Sequence, residues 1–219
     1  MKKNEKLKII YEDKYILIVD KPEHLLTIGN EKEHEKTLYH KVLLYLKKKN
    51  QKVFIVHRLD YDTSGLVIFA KNEKVKRILQ DNWNDVIRKY MAIVVGNLSN
   101  KSGTIKSYLK MTKTNLVYSS NDSKNGCLAI TSYKSILSND KYSLVDISIK
   151  TGRKNQIRVH LNDIGYPILG DKKYSQTKSN YKRMYLHAYY LEFIHPVTKE
   201  LKKIELDIPN SFQDIIDKM

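Results

Sequence analysis

The apolar residues of this chain fall mostly into short alternating blocks, a pattern that favours strands over helices. Each block is bounded by polar or turn-forming residues, as strands usually are. Eight blocks predict strands, at residues 15–22, 53–60, 66–71, 88–96, 127–137, 142–150, 185–196 and 199–209.

Helical spacing is confined to three segments. Residues 37–50 place apolar side chains on one helical face, and Thr37 is the predicted N-cap. Asn72 is the predicted cap of a second helix, which runs to residue 82. Residues 151–171 predict a loop that leads into a short helix ending at Gly165.

The stretch from residue 97 to residue 127 is polar and rich in Ser, Asn and Lys, which predicts a hairpin or an exposed insertion. No repeat, low-complexity linker or Pro/Gly-rich hinge divides the chain. Because predicted strands outnumber helices and hairpins recur, we expect one α+β domain, residues 1–219, with a mixed, largely antiparallel sheet.

The charge of the chain adds a partner to this picture. Forty Lys and Arg residues against 24 Asp and Glu residues give a formal charge of +16. Such an excess predicts a polyanionic partner, most simply nucleic acid, although a generally lysine-rich proteome is the alternative. Cys127 is the only cysteine, and no run approaches the roughly 18 apolar residues of a membrane span. We therefore expect a cytoplasmic protein with no disulfide and no membrane association.

Common cofactor motifs are absent from the sequence. There is no GxxxxGK phosphate loop, GxGxxG fingerprint, HExxH zinc motif or GxSxG elbow. The remaining groups with chemical potential are carboxylates and arginines. Of only six arginines, three fall in two motifs, residues 56–65 and 151–165.

The first motif, VHRLDYDTSG, puts Asp60 and Asp62 into a loop between two apolar blocks. Two such carboxylates are able to hold Mg²⁺ in a nuclease. The other interpretation is a division of work: Asp62, in a DTSG turn, holds the backbone, while Asp60, which no turn requires, reacts. Without a positive partner, desolvation would drive Asp60 to its neutral form.

The second motif, TGRKNQIRVHLNDIG, contains the partner that Asp60 needs. Arg158 lies at the start of the predicted short helix, from which it is able to reach a buried aspartate and keep it ionised. Spacing alone leaves a second interpretation open, in which Arg158 is a surface residue. Among the 16 tyrosines, several, including Tyr90 and Tyr174, have the character to stack on a base.

Taken together, these motifs closely resemble those of the RluA-type pseudouridine synthases. Residues 56–72 resemble the family's HRLD-x-x-TSG signature, and residues 11–27 its first strand and KP turn. RKYMAIVVG resembles the strand with the active-site tyrosine. Residues 151–174 resemble the TGRxHQIRxHL and GD segment, and YLHAYYLEFIHPVT the LHA and HP strand pair. The resemblance runs in order from about residue 11 to residue 209.

This resemblance implies a role for individual residues. Asp60 is the expected catalytic aspartate, acting as nucleophile or base, Arg158 its arginine partner, and Tyr90 the tyrosine that contacts the target base. The residues expected to bind RNA lie in the two motifs: His57, Arg58, Arg153, Lys154 and Asn155. Asn155 departs from the histidine usual in the family, which predicts altered RNA contacts or loop support rather than lost chemistry.

The family also sets expectations for partners and cofactors. We expect structured ribosomal or transfer RNA as the substrate, no metal and no cofactor, and a monomer. An N-terminal S4-like domain is not expected, since the resemblance begins near residue 11. Residues 97–127 and 172–182 are predicted RNA-contacting loops. The remaining alternative is an RNA-binding protein that has lost catalysis.

Overall fold

The computed structural model describes residues 6–29, 34–175 and 181–219 of the chain. Within these residues the strands are β1 Lys8–Glu12, β2 Ile16–Lys21, β3 Phe54–Ile55, β4 Ser64–Ala70, β5 Ile87–Val95, β6 Ser102–Met111, β7 Val117–Ser120, β8 Cys127–Ser138, β9 Tyr142–Ile149, β10 Leu186–Ile194 and β11 Leu201–Glu205. The α helices are α1 Leu38–Lys47, α2 Glu73–Asp81, α3 Gln156–Asp163 and α4 Asn210–Ile216, and a 3₁₀ turn covers His34–Lys36. The predicted α+β class with mostly antiparallel strands is confirmed.

Both predicted helix caps are confirmed. The Thr37 hydroxyl accepts a hydrogen bond from the backbone N–H of His40 at 3.1 Å, at the start of α1. The Asn72 side chain accepts one from the N–H of Val75 at 2.9 Å, at the start of α2. Each side chain satisfies a backbone donor that the first helical turn leaves without a partner.

The chain divides into two compact units, and the first contains residues up to Val86 together with Leu191–Leu206. In it, β1, β2 and β4 pair antiparallel in that order, and β3 pairs with β4 at Phe69 and Ala70, on the side away from β2. Helix α2 packs on this sheet. The core consists of apolar residues from several elements, including Ile16, Ile18, Leu66, Ile68, Val75, Leu79, Leu191 and Phe193.

The predicted strand at residues 53–60 is wrong in its length, because only Phe54 and Ile55 pair with β4. Beyond them the chain leaves the ladder, and the His57 ring takes the next hydrogen bond. Its Nε2 accepts from the backbone N–H of Ile68 at 3.1 Å. The polar motif after residue 56 is therefore a loop from its beginning.

The second unit contains Ile87–Tyr190 and Asp207–Met219. Strands β5, β9, β8, β6 and β7 pair antiparallel in that order. Val159 of α3 packs against Leu109, Val117 and Ala129 on one face of this sheet. A second cluster includes Phe212 and Ile215 of α4, packed with β5 and β9.

The polar segment from residue 97 to residue 127 contains the hairpin of β6 and β7, so the first of its two predicted structures is confirmed. In the other predicted RNA-contacting loop, 172–182, residues 176–180 lie outside the described residues. Among the helices that the structure describes, none is long and apolar enough to cross a membrane.

Candidate active site

The loop with Asp60 runs between β3 and β4 and is fixed on both sides of the aspartate. The Thr27 hydroxyl donates to the carbonyl oxygen of Leu59 at 2.9 Å and accepts from the Leu59 N–H at 3.1 Å. On the other side, the Thr63 N–H donates to the Asp60 carbonyl oxygen at 3.2 Å. Asp60 itself is half-buried. The backbone around the predicted catalytic carboxylate is therefore held in one conformation.

Lys21, the last residue of β2, forms hydrogen bonds to both the residue 22–27 loop and the Asp60 loop. Its side chain is fully buried. The ammonium donates to three carbonyl oxygens, those of Pro22 at 2.9 Å, Leu25 at 2.8 Å and Tyr61 at 3.3 Å. An ammonium has three N–H donors, so all of them are used in ordering the loop that contains Asp60.

Burial and two neighbouring carboxylates act in opposite directions on the pKa of Lys21. Burial lowers the pKa of the Lys21 ammonium to about 7, because the charged form loses hydration there. The carboxylates of Asp60 and Asp62 act in the opposite direction and raise that pKa. Lys21 therefore lies close enough to both carboxylates of this loop for their charges to act on its protonation.

Asp62, predicted to hold the turn, has a partner outside it. Its carboxylate lies 3.2 Å from Nδ1 of His24, whose backbone is in the left-handed region at φ 57°. The His24 and Tyr61 rings lie 5.7 Å apart. These contacts connect the residue 22–27 loop to the Asp60 loop, which agrees with a structural role for Asp62.

His57 faces the protein. In addition to its hydrogen bond with Ile68, its ring lies 4.5 Å from that of Trp83, tilted by 31°. Its neighbour Arg58 is exposed. RNA contact by either residue stays a prediction, and the described contacts of His57 are those of a loop support.

In the second unit, Tyr90 lies on β5 opposite Ile147 of β9. The side chains of Ile147 and Ile149 project from the same face of the sheet, and Ile149 pairs with Thr131. The Thr131 hydroxyl contacts His160 of α3 at 2.9 Å, so Tyr90 projects from the sheet face that α3 covers. Its side chain is about nine-tenths buried.

Arg158 lies on α3 and is buried, so the interpretation as a surface residue is wrong. Its guanidinium forms a bidentate pair with Asp171. Nε donates to Asp171 Oδ2 and Nη2 to Asp171 Oδ1, both at 2.7 Å. Such an anionic partner compensates the cost of burying the positive charge of an arginine.

Two further side chains enclose this arginine. The guanidinium carbon lies 5.1 Å from the centre of the Tyr174 ring, within cation–π distance. Asn155 donates from Nδ2 to the Tyr174 hydroxyl at 2.9 Å, and its Oδ1 lies 3.4 Å from Nη1 of Arg158. Asn155 is buried with φ 55°, a left-handed conformation that asparagine tolerates better than most residues. Its described contacts are thus with the protein, while RNA contact stays a prediction.

Arg153 and Lys154 come directly before this enclosure and are exposed. The Arg153 Nε donates to the carbonyl oxygen of Leu128 at 3.1 Å. Lys154 reaches the Met111 sulfur at 3.7 Å. Within the described part of the chain, no group of three or more His, Cys, Asp or Glu residues is placed to hold a metal ion.

Comparison with known proteins decides the family. The profile described as RNA pseudouridylate synthase matches residues 15–163, which is more than half of the chain. The chain belongs to this family. Members are isomerases, so the two motifs belong to an RNA pseudouridine synthase and the RluA-type resemblance is confirmed.

Individual relatives agree with this assignment. The chain is 35% identical over 215 residues to the uncharacterized RNA pseudouridine synthase YhcT of Bacillus subtilis, covering 95% of this chain and 71% of that protein. It is 36% identical over 210 residues to ribosomal large subunit pseudouridine synthase C of Rickettsia prowazekii, covering 93% and 69%. The fold is that of human RNA pseudouridylate synthase domain containing 4, with a TM-score of 0.81, 22% identity and coverage of 96% and 92%.

Two residues that hold the candidate site residues in place were missed by the sequence reasoning. Asp171 belongs to the GD segment of the second motif, but its pairing with Arg158 has no signal in the spacing. Lys21 belongs to the KP turn, and a lysine after an apolar strand gives no sign that it is buried.

Proposed function

We propose that this synthase converts specific uridines of ribosomal RNA, transfer RNA or both to pseudouridine, with Asp60 as the reacting carboxylate. The observation that supports this most directly is the construction of the Asp60 loop. Thr27 and Lys21 fix the backbone on either side of Asp60 through hydrogen bonds to Leu59 and Tyr61. Ribosomal RNA is favoured as the target because related proteins carry the name ribosomal large subunit pseudouridine synthase.

The proposed reaction breaks the N1–C1′ bond of uridine, rotates the uracil and joins its C5 to C1′. The C5 proton is then lost to water, so the reaction consumes no co-reactant. Ionised Asp60 attacks the ribose as a nucleophile or removes a ribose proton as a base. Both routes require the carboxylate form.

Arg158 is the proposed positive partner of Asp60. Asp171 holds the guanidinium of Arg158 in a bidentate pair, which fixes the position and orientation of this cation. The proposed role of this fixed positive charge is to favour the ionised form of Asp60. Tyr90 is the proposed stacking surface for the uracil.

Access to the uridine requires that it leave the helix, which costs a few kcal/mol. The charge of +16 favours RNA binding through phosphate contacts and offsets part of that cost. Arg58, Arg153 and Lys154, all exposed, are the first residues we assign to such contacts. A cytoplasmic location and a monomeric state are predictions that accompany this proposal.

Tritium release from RNA labelled at C5 of uridine tests the proposal. Ribosomal and transfer RNA from cells lacking the gene would be incubated with wild-type protein, Asp60→Asn and Asp62→Asn, all with EDTA. We expect release by wild type and by Asp62→Asn, and none by Asp60→Asn. Binding of RNA without release by the wild type would favour the alternative of a protein that has lost catalysis. Release by Asp60→Asn would show that another residue reacts.

A further inference from the structure

A groove of about 230 Å³ lies beside the enclosure of Arg158, entirely within the second unit. Its floor is apolar and includes the buried Leu109 and Val117, with the exposed Met111 beside them. Cys127, Arg153 and Lys154 form part of its rim. It is smaller than the roughly 300–1,000 Å³ of pockets for drug-sized ligands, so its size suits a single base.

The charge of the groove selects the class of ligand. None of the described residues that line it carries a carboxylate, while Lys110, Arg153 and Lys154 are cationic. Lys110 is already paired with Asp122 at 2.7 Å, so the net attraction comes from Arg153 and Lys154. An apolar floor beside two cations matches a nucleotide, whose base is flat and apolar on its faces and whose phosphate is anionic.

The groove is connected to the predicted catalytic arginine by a short series of contacts. Val117, in its floor, donates its backbone N–H to the Tyr174 hydroxyl at 3.2 Å. Tyr174 in turn lies against the Arg158 guanidinium. On the rim, Lys154 precedes Asn155, which donates to the same hydroxyl. A strand of RNA that delivers a uridine to Arg158 would thus pass this groove.

We propose that the groove binds one unpaired RNA nucleotide that neighbours the target uridine. This proposal rests on the proposed function. The base lies on Met111 and Leu109, and its phosphate lies between Arg153 and Lys154. Met111 is 57% exposed, so a large apolar side chain that folding leaves uncovered becomes a contact surface for the base. The only cysteine of the chain, Cys127, sits at the edge of this position.

Alkylation of Cys127 gives a direct readout. Full-length protein would react with N-ethylmaleimide with and without a saturating transcript of large-subunit ribosomal RNA, with mass spectrometry to follow the adduct. We expect RNA to slow the reaction at least tenfold. The matched control is Thr104→Cys in a Cys127→Ser background. Thr104 is exposed on β6, and its side chain projects from the face opposite to that of Leu109, the residue that pairs with Cys127. Its reaction should not change.

A charge placed in the groove gives a second, independent test. We expect Met111→Glu to weaken binding of the same transcript at least about fivefold, because the new carboxylate repels the phosphate by about 1 kcal/mol at close range. Thr104→Glu adds the same charge to the opposite face and should stay within twofold of wild type. Lys154→Gln should lower the slope of log K against log salt by about 0.7, the value for one single-strand phosphate contact.

The outcomes separate this proposal from the one on which it rests. If the wild type releases tritium but RNA leaves Cys127 alkylation unchanged, or protects both cysteines equally, the groove is not a nucleotide site and the catalytic function stands. Equal affinities for Met111→Glu and Thr104→Glu would overturn it in the same way. A wild type that neither binds RNA nor releases tritium would overturn both proposals.

Discussion

Removal of the carboxylate that pairs with Arg158 should destabilise the synthase strongly. Asp171→Asn keeps the size of the side chain and one oxygen, which continues to accept from the backbone N–H groups of Lys173 and Tyr174. It removes the negative charge and one of the two acceptors of the guanidinium. The turn around Asp171 is therefore preserved, and the change isolates the ion pair.

The magnitude follows from the geometry. Both side chains are buried, with 7% of Arg158 and 1% of Asp171 exposed, and both hydrogen bonds are 2.7 Å long. Loss of one partner from a buried pair costs about 3–5 kcal/mol, since a charge is left without compensation. For a chain of this length, each kcal/mol corresponds to about 2–4 °C in Tm, so we expect a fall of about 6–20 °C.

Urea unfolding followed by far-UV circular dichroism, which reports on both units, would measure the free energy of unfolding. Glu73→Gln is the matched control, because Glu73 pairs with Arg77 at 2.6 Å on the surface of α2. An exposed pair of this kind contributes about 0.3–0.5 kcal/mol. The double variant Arg158→Met with Asp171→Asn removes both charges, keeps the acceptor for the N–H groups of Lys173 and Tyr174, and should recover much of the lost stability. A cost for Asp171→Asn as small as that of Glu73→Gln, or a double variant no better than Asp171→Asn, would refute the reasoning.

Three further changes test other parts of the structure. With Lys21→Met as reference, wild type should gain about 2 kcal/mol of unfolding free energy between pH 7 and 9. The reason is that the unfolded lysine, with a pKa of 10.5, keeps a proton that the folded lysine releases near pH 7. A difference between the two proteins that does not change with pH, measured by urea unfolding, would show that Lys21 stays charged. Asn72→Ala should cost about 1 kcal/mol through loss of the α2 cap, and an unchanged Tm in calorimetry would argue against the cap. Gly170→Ala should reduce soluble yield severely, because Gly170 has φ +78° and a β-carbon there would overlap the Arg183 carbonyl oxygen, whereas Gly165→Ala, with open space around it, meets only the strain of its φ of +85° and should be tolerated better.

Sequence patterns predicted the elements that depend on local chemistry. Thr37 and Asn72 are recognisable as caps because each precedes a run with helical spacing. Most strands appear within a few residues of their predicted bounds. Strand β3 is the exception, since the apolar residues after Ile55 continue the pattern while the chain has already left the sheet. Periodicity reports which side chains are buried, and it does not report which backbone groups pair.

The candidate site was predictable where residues form a motif and unpredictable where distant residues meet. The HRLD-x-x-TSG loop alone selects Asp60 as the candidate carboxylate, and its catalytic role stays a prediction. The pairing of Arg158 with Asp171, 13 residues away, depends on the turn after α3. Lys21 resembles any surface lysine until the loops whose carbonyl oxygens it binds are in place. Such long-range contacts are set by tertiary packing, for which the single sequence has no local signal.

The division of the chain into units has a consequence for its synthesis on the ribosome. The first unit is discontinuous: its core is completed by Leu191 and Phe193, which come more than 100 residues after Val86. Translation proceeds at about 5–20 residues per second, so the gap between Val86 and Leu206 lasts on the order of 10 s. During that time β1 to β4 and α2 expose apolar side chains, because the residues that complete their core have not yet been synthesised. Nascent chains stalled before residue 191 should accordingly be recognised by chaperones and cut by proteases, while release of the stall past residue 206 should end that vulnerability.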